Sequence, residues 1–161
     1  LANVREQKSR RTSSKPRFSI KKEGAAQVCI VGLTKSGKSE LINALTNARV
    51  EVSNYPFTTK EPKIGMMNFS DVQIQLVEIP STFDKELVSI LHGSDLILVL
   101  LDSSGDVDTQ LNEIEKIFED NRLDEKKILI VGNKLDLVQR KEMFQISAKT
   151  KTNLERLKEK I

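Results

Sequence analysis

Cysteine and histidine are nearly missing from this chain of 161 residues: each occurs once. Cys29 has no partner for a disulfide within the chain. Its place in the apolar stretch Gln27–Val31 marks it as a packed thiol of a reducing compartment rather than a nucleophile. His92 stands alone and is given no role. No apolar run exceeds Leu96–Leu101, which is far too short to cross a bilayer. Residues 1–19 carry charge but no apolar centre, so no secretory signal is read there and a cytoplasmic location is expected. There is no internal repeat. What remains is ordinary: 38% hydrophobic and 30% charged residues, enough to bury one core without covalent staples.

Charge is unevenly spread. Residues 1–24 hold Arg5, Lys8, Arg10, Arg11, Lys15, Arg17, Lys21 and Lys22 against Glu6 and Glu23. The chain as a whole is only +3, so residues 25–161 are slightly acidic. The division expected is a basic arm or leader over 1–24 and a folded domain over 25–161. Such an arm is either a solvated leader or a phosphate-neutralising contact to RNA. With Phe18 its one aromatic residue, it is poorly equipped to stack on bases.

The most informative feature is Gly32-Leu33-Thr34-Lys35-Ser36-Gly37-Lys38-Ser39, which fits G-x-x-x-x-G-K-[ST]. It lies between a β-branched stretch and a segment, Ser39–Leu45, whose apolar residues recur at helical spacing. The glycines let the backbone fold around an anion, and the helix N-terminus adds partial positive charge. In this pattern the backbone from Thr34 to Ser39 cradles phosphates, Lys38 reaches the β- and γ-phosphates, and the Ser39 hydroxyl ligates Mg²⁺. The chain is expected to bind a nucleoside triphosphate.

The base is read a hundred residues later. Asn133-Lys134-Leu135-Asp136 follows the apolar stretch Lys127–Gly132. The Asp136 carboxylate can accept hydrogen bonds from N1–H and the 2-amino group of guanine, whereas adenine would leave it desolvated and unpaired. Asn133 can bond the base or tie this loop to the phosphate loop, and the Lys134 stem can cover a ring face. Ser147-Ala148-Lys149 completes the set, with a backbone N–H near Ala148 placed to cap the guanine O6. The expected ligands are GTP and GDP.

With these motifs in hand, the chain resembles the small Ras-like GTPases of the translation-factor-related class, and within them the Obg and developmentally regulated GTP-binding (DRG) group. The likeness runs from Phe18 to Ile161. It is carried by Asn54-Tyr55-Pro56-Phe57-Thr58-Thr59, similar to that group's switch I, and by Val72–Pro80, similar to its third strand and the start of switch II. Phe18–Gly24 is similar to the DRG lead-in to the first strand. The resemblance implies that Thr59, or its neighbour Thr58, ligates Mg²⁺ and senses the γ-phosphate. It also implies a link to ribosomes, which favours RNA as the partner of the arm. Potassium-stimulated relatives often have asparagine at the position of Lys35. Here an ammonium either replaces the ion or merely adds positive potential at the mouth of the loop.

Switch II departs from that pattern. The group's D-x-P-G is Glu78-Ile79-Pro80-Ser81 here. Glu78 can still hold Mg²⁺ through a water, with one extra methylene in the side chain. Ser81 replaces a glycine whose freedom lets the switch turn. Thr82 stands where Ras-type enzymes have the water-orienting glutamine. Weak hydrolysis is expected, with Lys38 and Thr59 as the catalytic residues. The function expected is a slow, Mg²⁺-dependent GTPase switch acting on the translation machinery or ribosome, with no membrane partner. The alternative is a GTP-binding module with little or no hydrolysis. An ATPase or nucleotide kinase is opposed by Asn133–Asp136 and by the lack of an arginine-rich lid.

The fold class expected is α/β: a Ras-like G domain, three layers around a mostly parallel six-stranded sheet with one antiparallel edge strand. Strands are expected at 27–32, 63–69, 71–78, 95–102, 126–132 and 143–146, and helices at 38–47, 85–92, 107–120 and 151–161. Ser70-Asp71 should close a hairpin. Only six residues separate Asp136 from Met143, whereas a parallel crossover needs roughly ten or more. Either the crossover helix is deleted or residues are missing around 137–142, and likewise around 81–85; missing residues are the favoured expectation.

If Asp136 reads guanine, Asp136→Asn shifts preference towards xanthine, because the amide can donate to a 2-oxo group. GTP affinity should fall about ten-fold or more, a charged hydrogen bond being worth roughly 1.5–3 kcal/mol. Competition binding with GTP and XTP checks this, and unchanged GTP binding would contradict the assignment.

Overall fold

The computed structural model describes residues 20–46, 50–52 and 60–161. The basic arm up to residue 19 and the segment 53–59, with Thr58 and Thr59, lie outside the described residues. The chain builds a sheet in the order β2-β3-β4-β1-β5-β6. Five strands carry it: β1 (Ala26–Val31), β3 (Lys63–Phe69), β4 (Val72–Glu78), β5 (Leu96–Asp102) and β6 (Ile128–Asn133). A two-residue strand, β2 (Glu51–Val52), pairs antiparallel with β3 at one edge. Strands β4, β1, β5 and β6 run parallel, and β3 runs antiparallel to β4.

Parallel strands covered on both faces need apolar residues at successive positions. Val28 to Val31 and Leu96 to Leu101 are buried throughout. Alternation sorts these side chains into two cores. Val28, Ile30, Leu98 and Leu100 meet Leu41, Ile42 and Leu45 of α1 (Lys38–Leu45) and Leu154 and Leu157 of α4 (Leu154–Lys160). Cys29, Val31, Ile97 and Val99 meet α2 (Lys85–Gly93) and α3 (Val107–Asp120) through Leu87, Ile90, Ile114 and Phe118. The α/β class with a mixed sheet is as expected. The β3–β4 hairpin pairs Phe69 with Val72 and Lys63 with Glu78, and Ser70 takes a φ of 51° at its turn.

Three expectations need correction. Residues 143–146 do not form a ladder: Gly132 and Gln145 make one parallel bridge, fixed by Gly132 N–H to the Phe144 carbonyl (2.9 Å) and Ile146 N–H to the Gly132 carbonyl (2.8 Å). The sixth strand is β2, at the opposite edge. The helix expected over 151–161 starts only at Leu154. Before it, Ser147 and Thr152 exchange backbone hydrogen bonds, and Lys151 and Asn153 take φ values of 59° and 62°.

The third correction concerns the short crossover. Residues 134–142 contain no helix, yet the chain passes from β6 to Gln145 without a break. Reaching a single bridge at the end of β6 requires far less chain than returning to the start of a neighbouring parallel strand. Gln145 closes the passage: its carbonyl oxygen accepts from the Arg140 N–H and its amide donates to the Val138 carbonyl. The Arg140 guanidinium then donates to the carbonyls of Ser103 (2.9 Å) and Gly105 (3.1 Å). Without a crossover helix, Ile128 and Ile130 of β6 remain 38% and 39% exposed. A trough of about 690 Å³ opens there, lined by Leu111, Ile130, Met143 and Phe144 among others.

Cys29 has no exposed surface, and burial pushes its thiol up to about 12. In native buffer near pH 8 it should not react with a thiol-disulfide reagent, and it should react fully once the chain is denatured. Rapid stoichiometric labelling of the folded protein would contradict this packing.

Candidate functional site

The motif residues collect where the parallel strands end. Behind β1, the loop 32–37 turns on a hydrogen bond from the Ser36 N–H to the Leu33 carbonyl (3.2 Å). Lys35 and Gly37 have φ values of 68° and 98°. Gly37 is demanded twice, since a Cβ there would also lie 2.3 Å from the Asn133 amide nitrogen. Gly32 tolerates none either, with the Leu100 carbonyl 2.6 Å from such a carbon. From Lys38 onward the chain is helical, so α1 directs its N-terminus at the loop.

Lys38 folds back over this loop. Its ammonium donates to the carbonyls of Gly32 (3.0 Å) and Leu33 (3.3 Å). Burial lowers its pKa, Glu78 opposes that effect and Lys60 adds to it. Beside it the Ser39 hydroxyl donates to Glu78 Oε1 (2.8 Å), and the Lys63 ammonium donates to Ser39 Oγ (3.1 Å). Among the described residues the buried Glu78 Oε2 has no hydrogen-bond partner. Across the mouth, the hydroxyls of Thr34 and Ser81 share a hydrogen bond of 3.1 Å. These groups line a cavity of about 480 Å³, with Lys35 exposed at its rim.

On the base side, Asn133 is 1% exposed and uses its whole amide: Nδ2 donates to the Ser36 carbonyl (2.9 Å), and Oδ1 accepts from the Ala148 N–H (3.0 Å). Of the two roles read for Asn133, the structure places it in the second, tying loop to loop. The Ala148 N–H read as a cap for a base oxygen is therefore engaged by Asn133. Ser147 donates to the Asp136 carboxylate (2.7 Å), orienting it. Lys134, at φ 67°, donates to Asp102 (2.7 Å), which fixes its stem. Burial opposes ionisation of Asp102, but hydrogen bonds from Lys134 and Ser104 outweigh it and hold the carboxyl below the usual range. A cavity of about 200 Å³ lies among Asn133, Lys134, Asp136, Leu137 and the exposed Lys149; Glu40 borders both this space and the phosphate-loop cavity.

Three participants were missed from sequence. Asp102 ends β5 and anchors Lys134. Gln110 clasps that strand end, donating to the Asp102 carbonyl (2.9 Å) and accepting from the Asp102 N–H (2.8 Å). Lys63 opens β3. Asp102 carried a signal, a carboxylate ending an apolar strand; Lys63 carried none, since its role depends on cross-strand register.

A family model described as the 50S ribosome-binding GTPase matches residues 27–134, most of the chain. The chain belongs to the 50S ribosome-binding GTPase family. Among curated relatives, it is 35% identical to the GTPase Obg of Borreliella afzelii over 133 residues, covering 74% of this chain and 40% of that one. It is 37% identical to an uncharacterized GTP-binding protein of Halobacterium salinarum over 93 residues, covering 52% of this chain and 25% of that one. Among solved structures, the G domain of the T. maritima FeoB iron transporter superposes with a TM-score of 0.67 at 25% identity, covering 84% of this chain and 95% of that one. The chain spans 25% to 41% of the length of the curated relatives it matches. It is a GTP-binding GTPase domain of Obg-like kind.

In this GTPase domain Asn133→Ala should leave the Ser36 carbonyl and the Ala148 N–H buried and unpaired. A loss of about 1–3 kcal/mol per orphaned group is expected. The variant should melt earlier and bind GDP more weakly, as read by thermal unfolding and by titration. A variant with parental melting and affinity would show that the two loops hold without this link.

Proposed function

We propose that this domain is a guanine-nucleotide switch that hydrolyses GTP slowly. The observation that carries the reading is the buried Asn133 amide, which joins the phosphate loop to the turn beside Asp136. The spacing between the phosphate cradle and the base-reading carboxylate is thereby held. Phosphates take the cavity at Lys38 and Ser39, where the helix N-terminus and the loop N–H groups offer donors. Guanine takes the space at Asp136, whose carboxylate Ser147 orients. Lys134 covers a ring face.

Mg²⁺ fits this site on one observation. Among the described residues Glu78 Oε2 is buried without a donor beside the Ser39 hydroxyl, and hard oxygen atoms of this kind suit that ion. Ser39 would hold it directly and Glu78 through a water, with Thr59 as the further ligand the family resemblance implies. When bound, it neutralises charge on the β- and γ-phosphates. Lys38 supplies positive charge to the same oxygens.

Slow hydrolysis is supported at switch II. The hydroxyl that Ser81 adds in place of glycine is hydrogen-bonded to Thr34 of the phosphate loop, which restrains the segment that must move. Thr82 carries no amide to orient a water. The same contacts favour the second reading, a binding module with little hydrolysis. Residues 1–24 serve as a basic arm against ribosomal RNA, leaving 25–161 as the nucleotide-binding domain. The family description and the arm's charge support that partner. No helix among the described residues is long and apolar enough to cross a membrane.

Turnover of GTP at excess Mg²⁺, with and without ribosomes, separates the two readings. Ser81→Gly combined with Glu78→Asp should raise turnover several-fold, while Lys38→Ala should weaken GTP binding more than ten-fold in either background. No gain in the double variant would show that switch II does not limit the reaction. Deleting residues 1–17 should leave nucleotide affinity unchanged and weaken ribosome binding in a salt-dependent way; binding that survives both deletion and high salt would place the contact elsewhere.

A further inference from the structure

The group nearest the Mg²⁺-binding oxygens is a lysine. Lys63 opens β3 directly opposite Glu78 on β4, and its stem carries the ammonium past the strand pair to α1. There it donates to Ser39 Oγ at 3.1 Å and stands 4.0 Å from Glu78 Oε2. Glu78 is only 8% exposed, and among the described residues that Oε2 has no hydrogen-bond partner. A buried carboxylate oxygen without a donor is costly unless a cation compensates it. Lys38 does not compensate it by contact, because its hydrogen bonds go to the carbonyls of Gly32 and Leu33. Lys63, hydroxyl and carboxylate therefore form a closed group in which the serine donates to the acid and accepts from the ammonium.

An ordinary cross-strand ion pair would need only Lys63 and Glu78. Here the ammonium also engages the hydroxyl that belongs to the phosphate loop. It approaches the same two oxygen sources as a divalent ion, 3.1 Å from the hydroxyl and 4.0 Å from the carboxylate, where Mg²⁺ would stand roughly 2.0–2.1 Å from the hydroxyl it ligates. The two cations cannot share the position. Lys63 can leave it, since its side chain is 40% exposed and its stem is flexible.

We propose that Lys63 is a tethered cation for the divalent site, competing with Mg²⁺ for Ser39 and Glu78 and standing in for it beside the β-phosphate. The proposal rests on the guanine-nucleotide reading above. Its consequence is a shallow dependence of nucleotide affinity on Mg²⁺.

The test is titration of a fluorescent GDP analogue in millimolar Mg²⁺ and in EDTA, for the parent, Lys63→Met and Lys63→Arg, each checked for a parental melting transition in Mg²⁺. The parent should bind within about five-fold under the two conditions. Lys63→Met should widen that gap to about ten-fold or more through loss of binding in EDTA, the loss expected for one charge-assisted contact. Its Mg²⁺ requirement, read as the ion concentration at half-maximal affinity, should fall because the competing charge is gone. Lys63→Arg keeps the charge and should keep the gap small. A parent that loses as much affinity in EDTA as Lys63→Met overturns the proposal and leaves Lys63 an ion pair of the hairpin. A parent that binds no GDP at millimolar Mg²⁺ overturns the nucleotide reading itself, and this inference with it. Should Lys63→Met fail to melt like the parent, Lys63→Gln takes its place, and a gap in that variant as small as the parent's overturns the proposal.

Discussion

Asn133 is the constraint on which the site depends. One buried amide satisfies a carbonyl of the phosphate loop and an N–H of the 147–150 turn, and so joins three separate parts of the chain. Neither group can turn to water, so the amide is hard to replace. Gly37 exists in the same arrangement: only a residue without Cβ lets the Asn133 amide approach so closely. Because the asparagine ends β6, the spacing between the phosphate loop and the base-side loop is the spacing of strands in the sheet.

Around that tie, ionic contacts divide the remaining work. Lys134 is committed to Asp102, itself held at the end of β5 by Gln110, so the base-side loop is braced from the α3 side of the sheet. Lys38 bridges carbonyls of its own loop. Ser39, Glu78 and Lys63 form a separate group at the phosphate end. The Thr34–Ser81 hydroxyl pair links phosphate loop to switch II on the exposed side. Each contact is modest by itself at its degree of exposure, and the geometry comes from their mutual dependence.

The edge beyond β6 shows what happens when a layer is thinned. A parallel sheet normally has helices on both faces. Here the passage from Asn133 to Gln145 is made by turns, held by the Gln145 amide and the Arg140 guanidinium, and Ile128 and Ile130 keep part of their surface. The economy is local. Core residues of β1 and β5 still pack against helices in two buried clusters, one on each face of the sheet.

By itself the sequence determined the class of fold, since short apolar runs such as Leu96–Leu101 suit strands buried on both faces, and alternating strand and helix signals leave few topologies. It also pointed to the candidate site residues, because a phosphate-loop pattern and Asn133–Asp136 are local patterns carried by neighbouring glycines and polar side chains. Tertiary structure alone decided how Asn133 spends its amide, since both of its partners lie far away in the chain. It alone decided that Gln145 makes one bridge instead of a strand, because the outcome depends on the chain length available to cross β6. Lys63 belongs to the same class: a lysine ahead of a strand looks like any solvated charge. It becomes a neighbour of Ser39 and Glu78 only when hairpin register and the packing of α1 are both in place. Local patterns are written in neighbouring residues; partners across a sheet are chosen by register, which no short stretch of sequence contains.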